Sequence, residues 1–244
     1  MRDQNSNSDT TESDDAIRLS FYATPEHKCS YLPDKQAVTL FADPHADLDN
    51  HIYSVLSQYG FRRSGKHIYR PACPTCAACI PIRISAAEFA IKRNQKRIRN
   101  LNRDLEIKLV SPEFREEQHK LYCKYIHYRH PNGGMDDPNP ERYMEFLTSE
   151  WSITRFAEFR LDGKLLAVAV MDMLEDGISA VYTYFDPDYD KRSLGTLAIL
   201  WEIEWVKQQN LPWLYLGYWI EECAKMRYKS QFLPHQKFIQ GNWV

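Results

Sequence analysis

The sequence predicts a mixed α/β (α+β) fold, with a meander, helix and strand core in its second half and an N-terminal cysteine-containing domain packed against that core. Three observations predict it. Alternating runs at residues 153–160, 165–173 and 178–185 are separated by the turn signals Asp162-Gly163 and Glu175-Asp-Gly177. An amphipathic stretch at 196–209 leads into an apolar run at 213–219. The first half instead carries short, proline-broken runs and a thiol-bearing loop.

A chain of 244 residues with 43% hydrophobic content can bury a large core without staples. Lys and Arg total 31 against 33 for Asp and Glu, so the net charge of −2 gives no global attraction to nucleic acid or acidic membranes, and a polyanion must be met by a local patch. The start has no apolar h-region, and the chain has no run of roughly eighteen apolar residues, so a soluble, cytoplasmic protein without membrane contact is expected.

Residues 1–16 are polar and acidic and predict a disordered tail. Short strand-like runs at 18–41 are broken by Pro25 and Pro33 and closed by Pro44. Leu48, Ile52, Val55, Leu56 and Tyr59 fall at helical spacing, with Gly60 as the C-terminal cap. Residues 61–70 read as extended, 71–78 as a cysteine-bearing loop and 80–84 as a strand. Ser111-Pro112 opens a second helix through Tyr128, which ends at the loop 131–138. A boundary between roughly 105 and 112 divides the chain into an N-terminal domain, 17–108, and a C-terminal domain, 109–244.

Residues 89–103 contain Lys92, Arg93, Lys96, Arg97, Arg99 and Arg103 and no acid. At helical spacing these charges gather along a helix, where they form either a solvated face or a set of phosphate contacts for RNA. Cys73-Pro-Thr-Cys76-Ala-Ala-Cys79 makes two C-x-x-C steps, and Arg83 stands where a bacterial ferredoxin run would place its next Cys. Cys29 or His67 would complete a four-ligand zinc or iron-sulfur site; the alternative is a tight loop of small buried or reactive thiols.

The order of meander, loop, helix and strand resembles the acyltransferase core of Gcn5-related N-acetyltransferases. In that core an Arg/Gln-x-x-Gly-x-Gly/Ala loop holds a pyrophosphate on backbone N–H groups and a helix N-terminus. Arg192-x-x-Gly195-x-Leu197 stands at the matching place, and the bulk of Leu197 opposes ordinary coenzyme A binding. A plain strand-to-helix turn is the alternative.

Several segments together resemble the aminoacyl-tRNA-protein transferase family of the arginyltransferase type, within it the bacterial aspartate/glutamate leucyltransferase branch. They are Gly60-Phe-Arg-Arg-Ser-Gly65, Tyr69-Arg-Pro-Ala-Cys-Pro-Thr-Cys76, the basic run, Asp162-Gly-Lys-Leu-Leu-Ala-Val-Ala169, Val181-Tyr-Thr-Tyr-Phe-Asp-Pro187, Ser193-Leu-Gly-Thr196, Tyr215-Leu-Gly-Tyr-Trp-Ile220 and Lys225-Met-Arg-Tyr-Lys229. The resemblance implies an enzyme that conjugates leucine from leucyl-tRNA to proteins beginning with Asp or Glu, marking them for proteolysis through the N-degron route. It also implies a bound tRNA 3′ end in place of coenzyme A, with Arg192 and Gly195 joining the basic run as tRNA contacts.

An aminoacyl ester is already activated, so no cofactor is required for the reaction. Alignment of the acceptor amine and stabilisation of the oxyanion suffice. Asp172 and Asp186 are candidate bases and Tyr184 a candidate proton donor, although each also fits a turn or strand role. Arg129 with His130, or Lys225 with Arg227, are candidates for the acceptor's carboxylate, against the alternative of solvated charges. Three rivals stay open: an arginyl donor, a coenzyme A-dependent N-acetyltransferase and a non-catalytic RNA-binding module.

Overall fold

Proline and glycine punctuation divides residues 19–71 into small pieces, four of which assemble into a small antiparallel sheet. The computed structural model describes residues 19–129 and 139–244; the expected tail, His130 and the loop 131–138 lie outside them. The small sheet has the order β1 (Phe21–Ala23), β4 (Thr39–Ala42), β6 (His67–Pro71), β5 (Arg62–Ser64), and β2 (His27–Lys28) pairs with β3 (Gln36–Ala37) beside it. Helix α1 (Asn50–Gln58) starts where the Asp49 carboxylate accepts the Ile52 N–H at 2.7 Å. It ends at Gly60, whose positive φ of 80° lets its N–H turn back to the Ser57 carbonyl.

The large sheet has eight strands in the order β14 (Asn242–Trp243), β13 (His235–Ile239), β7 (Ile80–Ser85), β12 (Trp213–Trp219), β11 (Gly177–Phe185), β10 (Lys164–Leu174), β9 (Ile153–Leu161), β8 (Glu106–Val110). The expected meander is β9, β10 and β11, paired antiparallel, whereas β11 and β12 pair parallel. Strand β7 lies inside this sheet although it precedes the 108/109 division read from the sequence, and β8 at the edge of the sheet spans that division.

Alternation along β10 separates two cores. Ala167, Ala169 and Met171 face α5 (Leu194–Gln208), with Ile98 of α2 (Arg93–Leu101) packed at the margin of that core. Val168 and Val170 face α3 (Glu116–Arg129) and α4 (Pro140–Leu147). The small sheet and α1 also join the large sheet, since Tyr53, Leu56 and Ile68 pack with Leu174 and Tyr215. Helix α4 and strand β8 carry no assignment in the sequence reading; Asn139 caps α4 by accepting the Arg142 N–H at 2.8 Å, with Pro140 in the first turn. Among the described residues no helix is long and apolar enough to cross a membrane.

Candidate active site

Strands β11 and β12 stay together for three residue pairs only, Gly177 with Trp213, Ile178 with Leu214 and Ser179 with Tyr215. Beyond Ser179, β11 remains paired to β10 as far as Phe185, and β12 to β7 as far as Trp219, so the two strands separate into a cleft. Gly217 is the residue that permits this. It has φ of 79° and follows an irregularity in the pairing of β12 with β7.

Arg62 of β5 enters the apex of the cleft. Its guanidinium donates to Ser179 Oγ at 2.7 Å, to the Tyr215 carbonyl at 3.2 Å and to the Ala180 carbonyl. A Cβ on residue 217 would lie 3.2 Å from Arg62 Nε, so the missing side chain gives the guanidinium its passage.

Two further ionisable groups gather near Arg62. The Lys229 amine, on the 3-10 turn Tyr228–Gln231, donates to the Tyr218 carbonyl at 2.9 Å. Burial, and then the charge of Arg62, lower its pKa to about 7, so half the amines are neutral at that pH. Glu202 of α5 is fully buried and lies close enough to Arg62 to feel its charge. Burial raises its pKa to about 8 against the opposing pull of Arg62, and among the described residues neither carboxyl oxygen has a hydrogen-bond partner. Tyr182 of β11 adds a buried hydroxyl without a partner. A weakly basic amine and a desolvated carboxyl near one guanidinium are suited to handling protons near neutral pH.

The residues expected to do acid–base work have other employment. Asp172 is fully buried, and its carboxylate is committed to Arg63 through Nε at 2.6 Å and Nη2 at 2.7 Å and to Thr154 Oγ1 at 2.7 Å. Tyr184 is equally buried, its hydroxyl 2.7 Å from that of Tyr143 in an aromatic cluster, and burial drives its pKa well above the usual range. Asp186 caps the 3-10 turn Pro187–Arg192 by accepting the Asp188 N–H at 3.1 Å, and it pairs with Lys124 and Lys164. Burial opposes its ionisation, but Lys124, the Asp188 N–H and Lys164 outweigh burial and hold the carboxyl below its ordinary value, which makes a poor base. All three carry structure. Arg62, Glu202 and Lys229 were not singled out from the sequence, although Arg62 and Lys229 sit inside segments that carry the family resemblance, and Glu202 interrupts the core-facing positions Ile199, Ile203 and Val206 of α5.

Among the acceptor candidates, Lys225 Nζ donates to the Arg129 carbonyl at 3.4 Å, which brings the end of α3 against α6 (Ala224–Arg227). The Arg227 carbonyl accepts from Trp219 Nε1 at 3.2 Å and ties that segment to β12. Arg129 also acts on the Tyr125 and Tyr182 hydroxyls, at the aromatic wall beneath β11.

The basic run forms α2 and its flanks. Lys92, Arg93, Lys96, Arg97, Arg99 and Arg103 are all exposed, and none makes an ion pair among the described residues. Lys92, Arg93 and Arg97 line a surface concavity with Asn94. The buried side of α2 is anchored at both ends: Gln95 Nε2 donates to the Gln231 carbonyl at 3.4 Å, and Asn102 Nδ2 to the Arg192 carbonyl at 2.9 Å. The cationic face thus runs from the loop before α5 to the turn that carries Lys229. Arg192 is itself neutralised, forming two bonds to Asp104 at 2.8 and 2.9 Å, and its expected role as a free phosphate contact gives way to joining that loop to the end of α2. At Gly195 a Cβ would meet the Phe185 ring at 3.4 Å, and Leu197 is buried in the core.

Cys29, Cys73, Cys76 and Cys223 all act on Cys79, whose pKa is pushed up to about 12 by burial and then by those neighbours. Cys29 Sγ accepts the Tyr31 and Leu32 N–H groups at 3.5 Å, and Cys73 Sγ accepts the Val38 N–H at 3.5 Å. Among the described residues no group of three or more His, Cys, Asp or Glu is arranged to hold a metal ion.

The family model for "Arginine-tRNA-protein transferase, N terminus" matches residues 27–97, and that for the C terminus matches 117–239. Proteins named aspartate/glutamate leucyltransferase are similar over most of the chain. The one from Teredinibacter turnerae is 54% identical over 93% of this chain and 94% of its own. That from Pseudomonas putida strain F1 is 51% identical over 93% and 97%, and that from Saccharophagus degradans 49% over 94% and 98%. A solved structure of L-PGS from Bacillus licheniformis aligns with a TM-score of 0.45 at 16% identity, over 59% of this chain and 47% of that one. With both halves matched and about half of the residues shared with full-length relatives, the chain belongs to the arginine-tRNA-protein transferase family of aminoacyl-transferring enzymes.

Proposed function

We propose that this enzyme transfers leucine from leucyl-tRNA to the N-terminal amine of cytoplasmic proteins that begin with Asp or Glu, marking them for proteolysis through the N-degron route. The choice of donor and acceptor rests on the names of the relatives that share about half of its residues. The observation that carries the chemistry is the Lys229 amine, which donates to the Tyr218 carbonyl of β12 at 2.9 Å, with burial and then the charge of Arg62 lowering its pKa to about 7. The cleft sits within the acyltransferase-like order of meander, helix and strand. In this reading the tRNA 3′ end enters there, guided by the exposed cations of α2, which supply phosphate contacts without sequence readout.

The acceptor's neutral amine attacks the ester carbonyl carbon. The C–N bond forms, the bond from that carbon to the ribose oxygen breaks, and the proton shed by the amine passes to Lys229 Nζ and from there to the ribose oxygen. Proton inventory is restored at the end, and neither ATP nor a resident cofactor is consumed. Arg129, Lys225 and Arg227, gathered where α3 meets α6, are positioned for the acceptor's side-chain carboxylate.

The test is incubation with a panel of charged tRNAs and peptides that differ only at the first residue, read by mass spectrometry. Leucine should appear on Asp and Glu peptides and roughly tenfold to a hundredfold more slowly on Asn and Gln peptides. Preferential arginyl transfer, or equal reaction of the amides, overturns the donor or acceptor assignment respectively.

A further inference from the structure

We infer that the Glu202 carboxylate receives the α-ammonium group of the donor aminoacyl ester. The inference rests on the transfer reaction proposed above and assigns one of its two amines.

Glu202 lies on the sheet-facing side of α5, fully buried, with both carboxyl oxygens unpartnered. A lone buried carboxyl is costly to keep, and an apolar residue would serve the core better, as Ile199, Ile203 and Val206 do on the same helix. Among the described residues no side chain forms a hydrogen bond or ion pair with Glu202. The guanidinium of the nearby cation, Arg62, is committed to Ser179, Ala180 and Tyr215. The acid also acts on the Tyr228 hydroxyl, on the turn that carries Lys229.

The chemistry separates the two amines. The acceptor amine must be neutral to attack, and a buried anion beside it would hold it protonated and unreactive. The donor amine must not attack at all. Kept as an ammonium it is no nucleophile, and its charge makes the adjacent ester carbonyl more electrophilic. A desolvated carboxylate therefore suits the donor, and the weakly basic Lys229 suits the acceptor.

The probes are 3′-leucylamino-3′-deoxyadenosine, a non-transferable donor mimic, and its counterpart with an α-hydroxyl in place of the α-amine, studied by titration calorimetry at pH 7. Wild-type protein should bind the amine probe roughly tenfold to a hundredfold more tightly than the hydroxy probe. Binding should also release roughly 0.5–1 proton, read from buffers of different ionisation enthalpy, because the acid ionises as the ammonium arrives. Glu202→Gln should bind both probes alike and release no proton. The proton count on the wild type needs no variant, so a misfolded substitution leaves the inference testable. Equal binding of the two probes by the wild type, or a Glu202→Gln variant that keeps the preference, overturns it. Kinetics with leucyl-tRNA separate the two levels: a wild type that transfers leucine but ignores the α-amine refutes only the Glu202 assignment, whereas one that transfers nothing refutes the transfer reading as well.

Discussion

Arg63 grips Asp172 with two parallel hydrogen bonds, Nε to Oδ2 at 2.6 Å and Nη2 to Oδ1 at 2.7 Å, between a strand of the small sheet and the central meander. Arg63 Nη2 also donates to the Leu147 carbonyl at 2.8 Å, so the pair clamps the small sheet, β10 and the end of α4 together. Asp172→Asn should therefore act on stability, with a cost of about 3–5 kcal/mol from the uncompensated arginine. Denaturant unfolding would measure it, and transfer activity per folded molecule should change little. A stable variant with lost activity would return Asp172 to catalysis.

Its neighbour Arg62 depends on Gly217. Gly217→Ala places a Cβ at 3.2 Å from Arg62 Nε and puts a side chain on a backbone with φ of 79°, a combined penalty of about 1–3 kcal/mol. Displacing Arg62 removes charge from the cleft, so the pKa of Lys229 should rise and the pH–rate profile shift to higher pH. An unmoved profile would mean that the guanidinium keeps its place.

What could be read in the sequence was what depends on local pattern. The meander, α5, α1 and its glycine cap follow from periodicity and turn residues that the fold obeys. Helix α4 and strand β8 are short, and their existence is decided by packing against β9 and the aromatic cluster. The site is harder still, because Arg62, Glu202 and Lys229 come from separate elements and meet only where β11 and β12 part. Asp186, next to the proposed donor loop, and Asp172 are the carboxylates that the sequence offers; in the fold they pair with Lys124 and Arg63 respectively, and no local pattern announces either partner.

The Lys229 assignment gives a directional pH dependence. With an amine pKa near 7, kcat/KM should rise with pH through about 7 as the base form accumulates, then level off. Lys229→Gln should lower kcat by roughly 10²–10⁴ while donor KM stays similar, and Lys229→Arg should not rescue it, since a guanidinium stays protonated. Rescue by arginine would assign the position to charge alone.

The cationic face of α2 predicts a salt effect. Converting Arg93, Lys96 and Arg97 to Gln removes three exposed charges and leaves the buried Gln95 anchor intact. The slope of log affinity for charged tRNA against log salt should flatten by about 0.9 per lost duplex contact, or ~0.7 where the RNA is single-stranded. An unchanged slope with unchanged fold would make α2 a solvated face.

The last prediction sets stability against function at Glu202. The free carboxyl ionises near 4.5 and the buried one near 8, so between those values the native state holds a proton that the unfolded chain has lost. The stability associated with the neutral acid is fully present below about 4.5 and is lost as pH rises through 8, with an upper figure of about 5 kcal/mol for complete ionisation. Glu202→Gln has no such proton to lose. Lys229, with its pKa depressed, contributes the opposite slope above pH 7, and subtracting wild type from variant at each pH cancels that term. Chemical denaturation from pH 5 to pH 9 should thus find the variant increasingly more stable than the wild type as pH rises, with the gap widest from about pH 8 upward. A donor mimic that carries the α-amine should narrow the gap by stabilising the wild type more than the variant, which binds it more weakly, because a ligand bound to the native state alone adds to its stability. A difference that stays flat with pH would show that residue 202 is already ionised and paired in the native protein, and the cleft would then lack the vacant acid that donor recognition requires.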